Sequence, residues 1–571
     1  MKDFLRMFVA SVLALVFLFL VTVAIAGILA KQKPKVESGS YLTIDIYGEI
    51  LPYNPPDDIV AEILGGEPET LQRILDSLEK AEVDDRLKGV ILKISANNTL
   101  SGASTEEIRG AIKKVRDSGK KVYAFSDDLN RRALFLASAC DSIFMPVTGN
   151  VFFAGAGGTL MYFRGLLDKL DIHPNIHKIE DYKSAAESVL RDDMSPEARE
   201  MYTWLLEDLW DTAMQAISED RGVAAEQLAA MMEHALFTAE QARAAGLIDD
   251  IRYWDEVDSL LGGDGDGKLR TVTQSEYAEV EPGSLGLKGK KKIAVVHAFG
   301  LIGGRHSRVD PMLGIVMGHE TLAEELRRVG KDDDVAAVVF RVSSNGGEAL
   351  TSDLIGHEVE VLSRKKPVVA SMVDAAASGG YDISYRATKI VADPMTITGS
   401  IGSINGKFNV AGMYNKLGIT FDRVSKGSNA FIWSEFQDFT DEQRRRVEEN
   451  HWDGFNIWLE DISDKRGIAM AELEELAMGR VWTGRQAVEN GLVDEIGGLD
   501  RAIELAKELA DLPTDENVTV VHYPKKKGVL EMIMGGGAPK SAMRWMLYRF
   551  IRDDLAESIR LLTSNANLVI E

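Results

Sequence analysis

The stretch LFTAEQARAAGLIDDI (Leu236–Ile251) returns later in the chain as VWTGRQAVENGLVDEI (Val481–Ile496). Thr238 corresponds to Thr483, Gln241 to Gln486, Gly246 to Gly491 and Asp249 to Asp494, every pair 245 residues apart. Upstream the same register pairs Arg221-Gly222 with Arg466-Gly467, and earlier still GVILKIS (Gly89–Ser95) parallels AVVFRVS (Ala337–Ser343). Self-similarity at one long period means that a folding unit has been duplicated.

Within each copy, short β-branched runs alternate with amphipathic stretches. In the second copy Ile293–Ala298, Val335–Val342, Pro367–Met372 and Lys389–Ala392 read as buried strands. Gly318–Gly330, Ser352–Ser363, Thr440–Lys465 and Asp500–Leu512 read as helices, with Thr440 or Asp441 capping the third and Asp500 the fourth. This alternation predicts an α/β fold with mainly parallel strands. The chain divides into an N-terminal membrane anchor (1–35), a first copy (40–260), a linker (261–291), a second copy (292–515) and a C-terminal extension (516–571). The linker is rich in Gly, Asp and Lys and reads as flexible loop. The extension carries Met543, Met546, Leu547, Phe550, Ile551 and Leu555 at helical spacing, a packing helix or a membrane-surface helix.

The anchor rests on Met7–Ala30, where 24 residues pass without a charge. At roughly 1.5 Å per residue such a helix crosses a hydrocarbon core about 30 Å thick. Ala24-Ile25-Ala26 resembles a signal-peptide cleavage site, but the run is longer than a usual signal h-region, so an uncleaved single span over residues 7–30 is expected. Lys2 and Arg6 before it and Lys31, Lys33 and Lys35 after it leave the orientation undecided by charge.

Composition removes several function classes. A net charge of −24 without a long basic run argues against a nucleic-acid partner. The single cysteine, Cys140, excludes an intramolecular disulfide framework and a thiolate-rich zinc site, and its apolar surroundings (Leu134–Met145) predict a buried thiol. His319-Glu320 and His357-Glu358 both lack the second histidine of a zinc-protease helix. No cofactor or metal is called for.

Chemistry gathers at Ala375-Ala376-Ala377-Ser378-Gly379-Gly380-Tyr381, where a strand gives way to a serine, two glycines and an amphipathic stretch. A serine at such a junction either caps the helix or presents its hydroxyl where free N–H groups favour developing negative charge. Upstream, Ser343-Ser344-Asn345-Gly346-Gly347 ends another strand, and a Gly-Gly loop there can aim N–H groups outward. Together with the N–H of Gly379, one from Gly346 or Gly347 would complete an oxyanion hole. No histidine stands in an informative context near Ser378; a buried, neutral lysine can serve as base instead.

Asp181-Tyr182-Lys183-Ser184-Ala185-Ala186-Glu187, followed by Arg191-Asp192-Asp193-Met194-Ser195-Pro196, resembles the lysine region of the long, two-domain form of signal peptide peptidase A (protease IV). Ala377-Ser378-Gly379-Gly380-Tyr381 and Thr398-Gly399-Ser400-Ile401-Gly402 resemble that family's nucleophile region, and the likeness runs over roughly residues 1–515. The resemblance implies tandem domains of the Clp protease and crotonase type and a Ser–Lys dyad of Ser378 and Lys183. It further implies an extracytoplasmic (periplasmic) location on an inner-membrane anchor, a homotetramer, and peptide substrates such as signal-peptide remnants and other small hydrophobic peptides. Ser184, beside the base, is a candidate to orient it. The family usually has Ser-Pro-Gly-Gly at the oxyanion loop; here Asn345 replaces the proline, which leaves open whether Gly346 or Gly347 donates.

The duplication supplies a separate argument. Lys183 projects forward by 245 residues onto Ser428, with Lys426 two places off as the alternative base. Aligning Leu136–Ile143 with Ile383–Ile390 carries Ser378 back by 247 residues onto Arg131, and the following glycines onto Arg132 and Ala133. One copy therefore has the lysine and the other the serine, so a complete site needs both. The expected activity is that of a serine endopeptidase working through an acyl-enzyme. The rival readings are a non-catalytic membrane scaffold or chaperone of the same fold, and an acyl-thioester enzyme of crotonase type.

Overall fold

Thr238 and Thr483 do the same job in the two copies. Each accepts the N–H of the glutamine three residues on, Gln241 or Gln486, whose side chain returns the bond in a capping box. Gly246 (φ 77°) and Gly491 (φ 81°) turn the chain out of those short helices. Asp249 then accepts the N–H of Ile143 at 2.7 Å and pairs with Arg221, just as Asp494 accepts the N–H of Ile390 at 2.8 Å and pairs with Arg466. The repeated residues are thus those that lock a helix end to a strand edge.

The computed structural model describes residues 36–54, 69–262, 269–513 and 515–525; the expected span at 7–30 and the amphipathic helix at 541–562 lie outside them. Among the described residues no helix is long and apolar enough to cross a membrane.

The first copy's sheet is all parallel, ordered Thr271–Thr273, Ser40–Ile46, Leu87–Ile94, Lys121–Phe125, Ser142–Met145, Asp250–Ile251. The second repeats that order as Thr519–Tyr523, Lys292–Phe299, Val335–Ser344, Val368–Ala377, Lys389–Ala392, Glu495–Ile496. It adds Ile397–Gly399 against the upper half of Val368–Ala377, and Val481–Thr483 antiparallel to that. Strands buried on both faces explain the continuous Val/Ile runs. Position by position, the tandem α/β duplication read from the sequence is present. The stretch expected as flexible loop differs: Thr271–Thr273 and the helix Gln274–Ala278 pack on the first sheet, with Tyr277 fully buried.

Two features join the copies near the site. Ser403–Asn409 of the second pairs antiparallel with His173–Ile179 of the first. The helix Gly102–Asp117 lays Glu107 against Arg341, and Ser101 and Ser104 donate to Asp374. Thr440 caps Asp441–Arg466 as expected; Gly498, not Asp500, occupies the cap of Leu499–Leu509.

Candidate active site

Val368–Ala377 ends between two strands, and Ser378 continues it in a strained conformation, φ 55° and ψ −118°. Such a backbone costs a non-glycine residue on the order of 1–3 kcal/mol and persists only where its surroundings enforce it. Here the Ser378 N–H donates to Gly399 O at 2.8 Å, while Gly379–Asp382 starts a helical turn behind it. The Ser378 hydroxyl makes no capping bond, so the helix-cap reading of this serine does not hold.

Its partner comes from the other copy. Beyond His173–Ile179 the chain turns at Glu180 (φ 77°), and the Tyr182 N–H binds Met478 O at 2.9 Å. Gly479 has φ 77°, and a Cβ there would sit 2.5 Å from Lys183 N, so only glycine lets the lysine backbone pack this closely. Lys183 is 6% exposed and points its amine at Ser378 Oγ, 3.0 Å away. Nζ also donates to Ser400 O at 2.8 Å and meets Ser400 Oγ at 3.0 Å. Burial with no carboxylate partner pulls the ammonium down to about 8 from its ordinary 10.5.

The glycine loop settles beside them. The Gly346 N–H is taken by Ser344 Oγ at 3.1 Å, whereas among the described residues no acceptor binds the N–H of Gly347 or of Gly379. Gly346 (φ 103°) needs glycine for its backbone; Gly347 needs it for space, since a Cβ would lie 1.9 Å from Ile302 O. Ile302 clamps the loop by donating to Gly346 O and accepting from Glu348 N, both at 2.9 Å. Those bonds hold the loop without the proline that Asn345 replaces.

The sequence-named residues Lys183, Ser378, Gly346, Gly347 and Gly379 therefore meet. Ser184 does not orient the lysine: its Oγ bonds Tyr202 OH at 2.9 Å. Ser400 holds that place, itself at φ 53°, and the Thr398-Gly399-Ser400 element was the available signal. Lys426 is solvent-exposed and does not bond Ser378. His451 lines the same cleft, but its Nδ1 meets His177 Nδ1 at 2.9 Å and burial drives it down to about 4. In the first copy Arg131 begins the helix that corresponds to the one after Ser378. Cys140 is buried, its thiol pushed up to about 12.

Residues 114–262 and 360–513 match peptidase family S49. The protein "Serine protease SPPA, chloroplastic" of Arabidopsis thaliana is 33% identical over 511 residues, covering 88% of this chain and 74% of that protein. Protease 4 of Haemophilus influenzae is 32% identical over 492 residues, 81% of this chain and 79% of that protein. The solved "1510-N membrane protease specific for a stomatin homolog from Pyrococcus horikoshii" shares 13% identity over 43% of this chain and 98% of that one, with a TM-score of 0.25, too slight a likeness to bear on fold or function. The two matched segments fall one in each copy, and the chain belongs to peptidase family S49 and is a serine protease.

Proposed function

We propose that Ser378 is the nucleophile of this protease and Lys183 its general base. What supports the reading above all is the 3.0 Å contact between Nζ and Oγ. Neutral Lys183 takes the hydroxyl proton as Oγ bonds to the scissile carbonyl carbon. The N–H groups of Gly379 and Gly347 receive the oxyanion. The ammonium then protonates the leaving amide nitrogen, the C–N bond breaks, and an ester on Ser378 remains. Water repeats the sequence, losing its proton to Lys183 and releasing the acid. Ser400 orients the amine throughout. The strain at Ser378 holds Oγ forward of the sheet, as at other nucleophiles on strand-to-helix turns.

The finer reading assigns each copy to the Clp protease and crotonase type. It anchors the enzyme in an inner membrane through residues 7–30, with the catalytic copies extracytoplasmic, assembled as a homotetramer. The substrates are signal-peptide remnants and similar short peptides. The 24-residue charge-free run supports the anchor, and exposed apolar side chains at Leu417, Val424 and Trp433 support assembly. The test of the nucleophile is a serine-directed peptidyl phosphonate followed by peptide mass mapping. The adduct is expected on Ser378, and an adduct on another serine with Ser378 free would overturn the assignment.

A further inference from the structure

We propose that Asp382 makes the cleft beside Ser378 select a substrate side chain with an apolar stem and a cationic tip, lysine or arginine. The inference rests on Ser378 being the nucleophile.

The cleft holds about 960 Å³. Leu350, Ile404, Phe455 and Trp458 give it apolar walls, while Asp353, Asp382 and Asp461 line it with carboxylates. Two of those carboxylates are already matched. Arg386 donates to Asp353 Oδ1 at 2.9 Å and to Asp461 Oδ2 at 2.7 Å, and Tyr385 OH adds a bond of 2.5 Å to Asp461. Asp382 has no such partner. It is 7% exposed, and its Oδ1 is bonded to nothing among the described residues. The indole of Trp458 lies near enough to favour the carboxylate, yet its Nε1 falls outside hydrogen-bond geometry and is likewise unpartnered.

Asp382 stands one helical turn beyond the nucleophile, its N–H donating to Ser378 O at 3.0 Å. Asp382 and Trp458 line the same cleft as Ser378, so a peptide held there borders a buried carboxylate and a buried indole that lack protein partners at Oδ1 and Nε1. Lysine and arginine lay an aliphatic stem along apolar walls and deliver charged donors at the end, whereas a purely aliphatic side chain would seal Asp382 away unpaired. Burial pushes the Asp382 carboxyl up to about 7, against Arg386, which favours its charge, and Asp353 and Asp461, which oppose it. Glu348, His451 and Lys183 are the other titratable groups lining the cleft. A cationic side chain entering it reverses that imbalance.

The test uses the full-length enzyme and fluorogenic peptides identical except for Lys or norleucine at each position flanking the scissile bond. At pH 8.5 the wild type should favour Lys in kcat/KM by about tenfold or more at one position, the size of a charge-assisted hydrogen bond. Asp382→Asn should bring that ratio close to one. In the wild type the ratio should also fall as pH is lowered from 8.5 to 5.5 and the carboxyl protonates. Taking a ratio cancels the titration of Lys183, which acts on both peptides alike. A wild-type ratio at or below one at every position, or an unchanged ratio in Asp382→Asn, overturns the proposal. Should that variant not fold, a pH-independent wild-type ratio overturns it instead. Ser378→Ala run in parallel separates the two readings: turnover by that variant removes the nucleophile, whereas an inactive Ser378→Ala with a flat ratio removes only the role of Asp382.

Discussion

Lys183 Nζ and Ser378 Oγ stand 3.0 Å apart although 195 residues separate them and each belongs to a different copy of the duplicated unit. The antiparallel pairing of His173–Ile179 with Ser403–Asn409 delivers the one to the other. The two side chains, one from each copy, therefore meet at the seam between the copies.

Ser378→Ala should lower kcat/KM by roughly 10⁴-fold or more, since removing a nucleophile leaves only binding and oxyanion stabilisation. The thermal midpoint should hardly move, because the change deletes one oxygen and keeps the backbone. Peptide hydrolysis and a melting curve on the same preparation check both halves. Near wild-type turnover would exclude Ser378 as nucleophile.

Lys183→Arg and Lys183→Met should both be inactive and folded. Arginine keeps the charge but does not deprotonate in a protein, so the pair separates a proton acceptor from a simple cation. In the wild type, kcat/KM should rise with pH through an apparent pKa near 8, where burial places the Lys183 ammonium. A flat profile from pH 6 to 10 would remove Lys183 as base.

Ser400→Ala should reduce kcat/KM by about tenfold while moving the rising limb to lower pH. Ser400 Oγ lies 3.0 Å from Nζ, and its loss leaves the buried ammonium with fewer acceptors, which favours the neutral amine. A residue that merely supported the fold would change the rate without moving the limb. The pH profile is therefore the deciding measurement.

The reach of the sequence differed from residue to residue. Ser378 read locally as a helix cap or a nucleophile and the glycine loop as a turn, and only their combination, with the family likeness, singled them out. Lys183 came only through family likeness, since no local pattern marks a lysine whose partner lies in another domain. Ser184 was named for adjacency along the chain, but the Lys183 side chain leaves its own backbone and meets Ser400, a neighbour only in space. The strand Thr271–Thr273 was hidden by its three-residue length inside a Gly- and Lys-rich stretch; its counterpart Thr519–Tyr523 shows that it completes the unit. Asp382 looked like any polar residue of a helix because nothing in its sequence neighbours reveals that it is buried.

Arg341 and Glu107 bind the copies through a bidentate pair, one arm 2.8 Å, with Ser371 Oγ and the Leu499 N–H completing the network at 2.9 and 3.1 Å. Both side chains are 3% exposed. Glu107→Ala should cost about 3–5 kcal/mol by leaving the guanidinium buried and unpaired. The double variant Glu107→Leu with Arg341→Met should cost clearly less than the two single changes added together, as a urea-denaturation cycle would report. Additive effects would mean that the two charges do not depend on each other.

The protonation state of Lys183 is measurable apart from its activity. Burial moves its pKa from 10.5 to about 8, so the folded enzyme carries a cost on the order of 3 kcal/mol whenever that lysine is charged. Because the folded pKa lies below the unfolded one, the unfolded chain binds more protons between pH of about 8 and about 10.5, and stability contributed by this site rises with pH across that window. Below about 8 the cost is present in full; above about 10.5 it is gone. Lys183→Met has no such titration. The unfolding free energy of Lys183→Met minus that of the wild type should therefore fall by about 3 kcal/mol between pH 7 and pH 10.5, whatever its absolute sign, because other groups titrate alike in both proteins and cancel. Urea denaturation at half-unit pH steps measures this without substrate. A constant difference would show that the amine titrates as it does in water, leaving several hundredfold less neutral amine at neutral pH to take the proton from Ser378 than a pKa of about 8 provides.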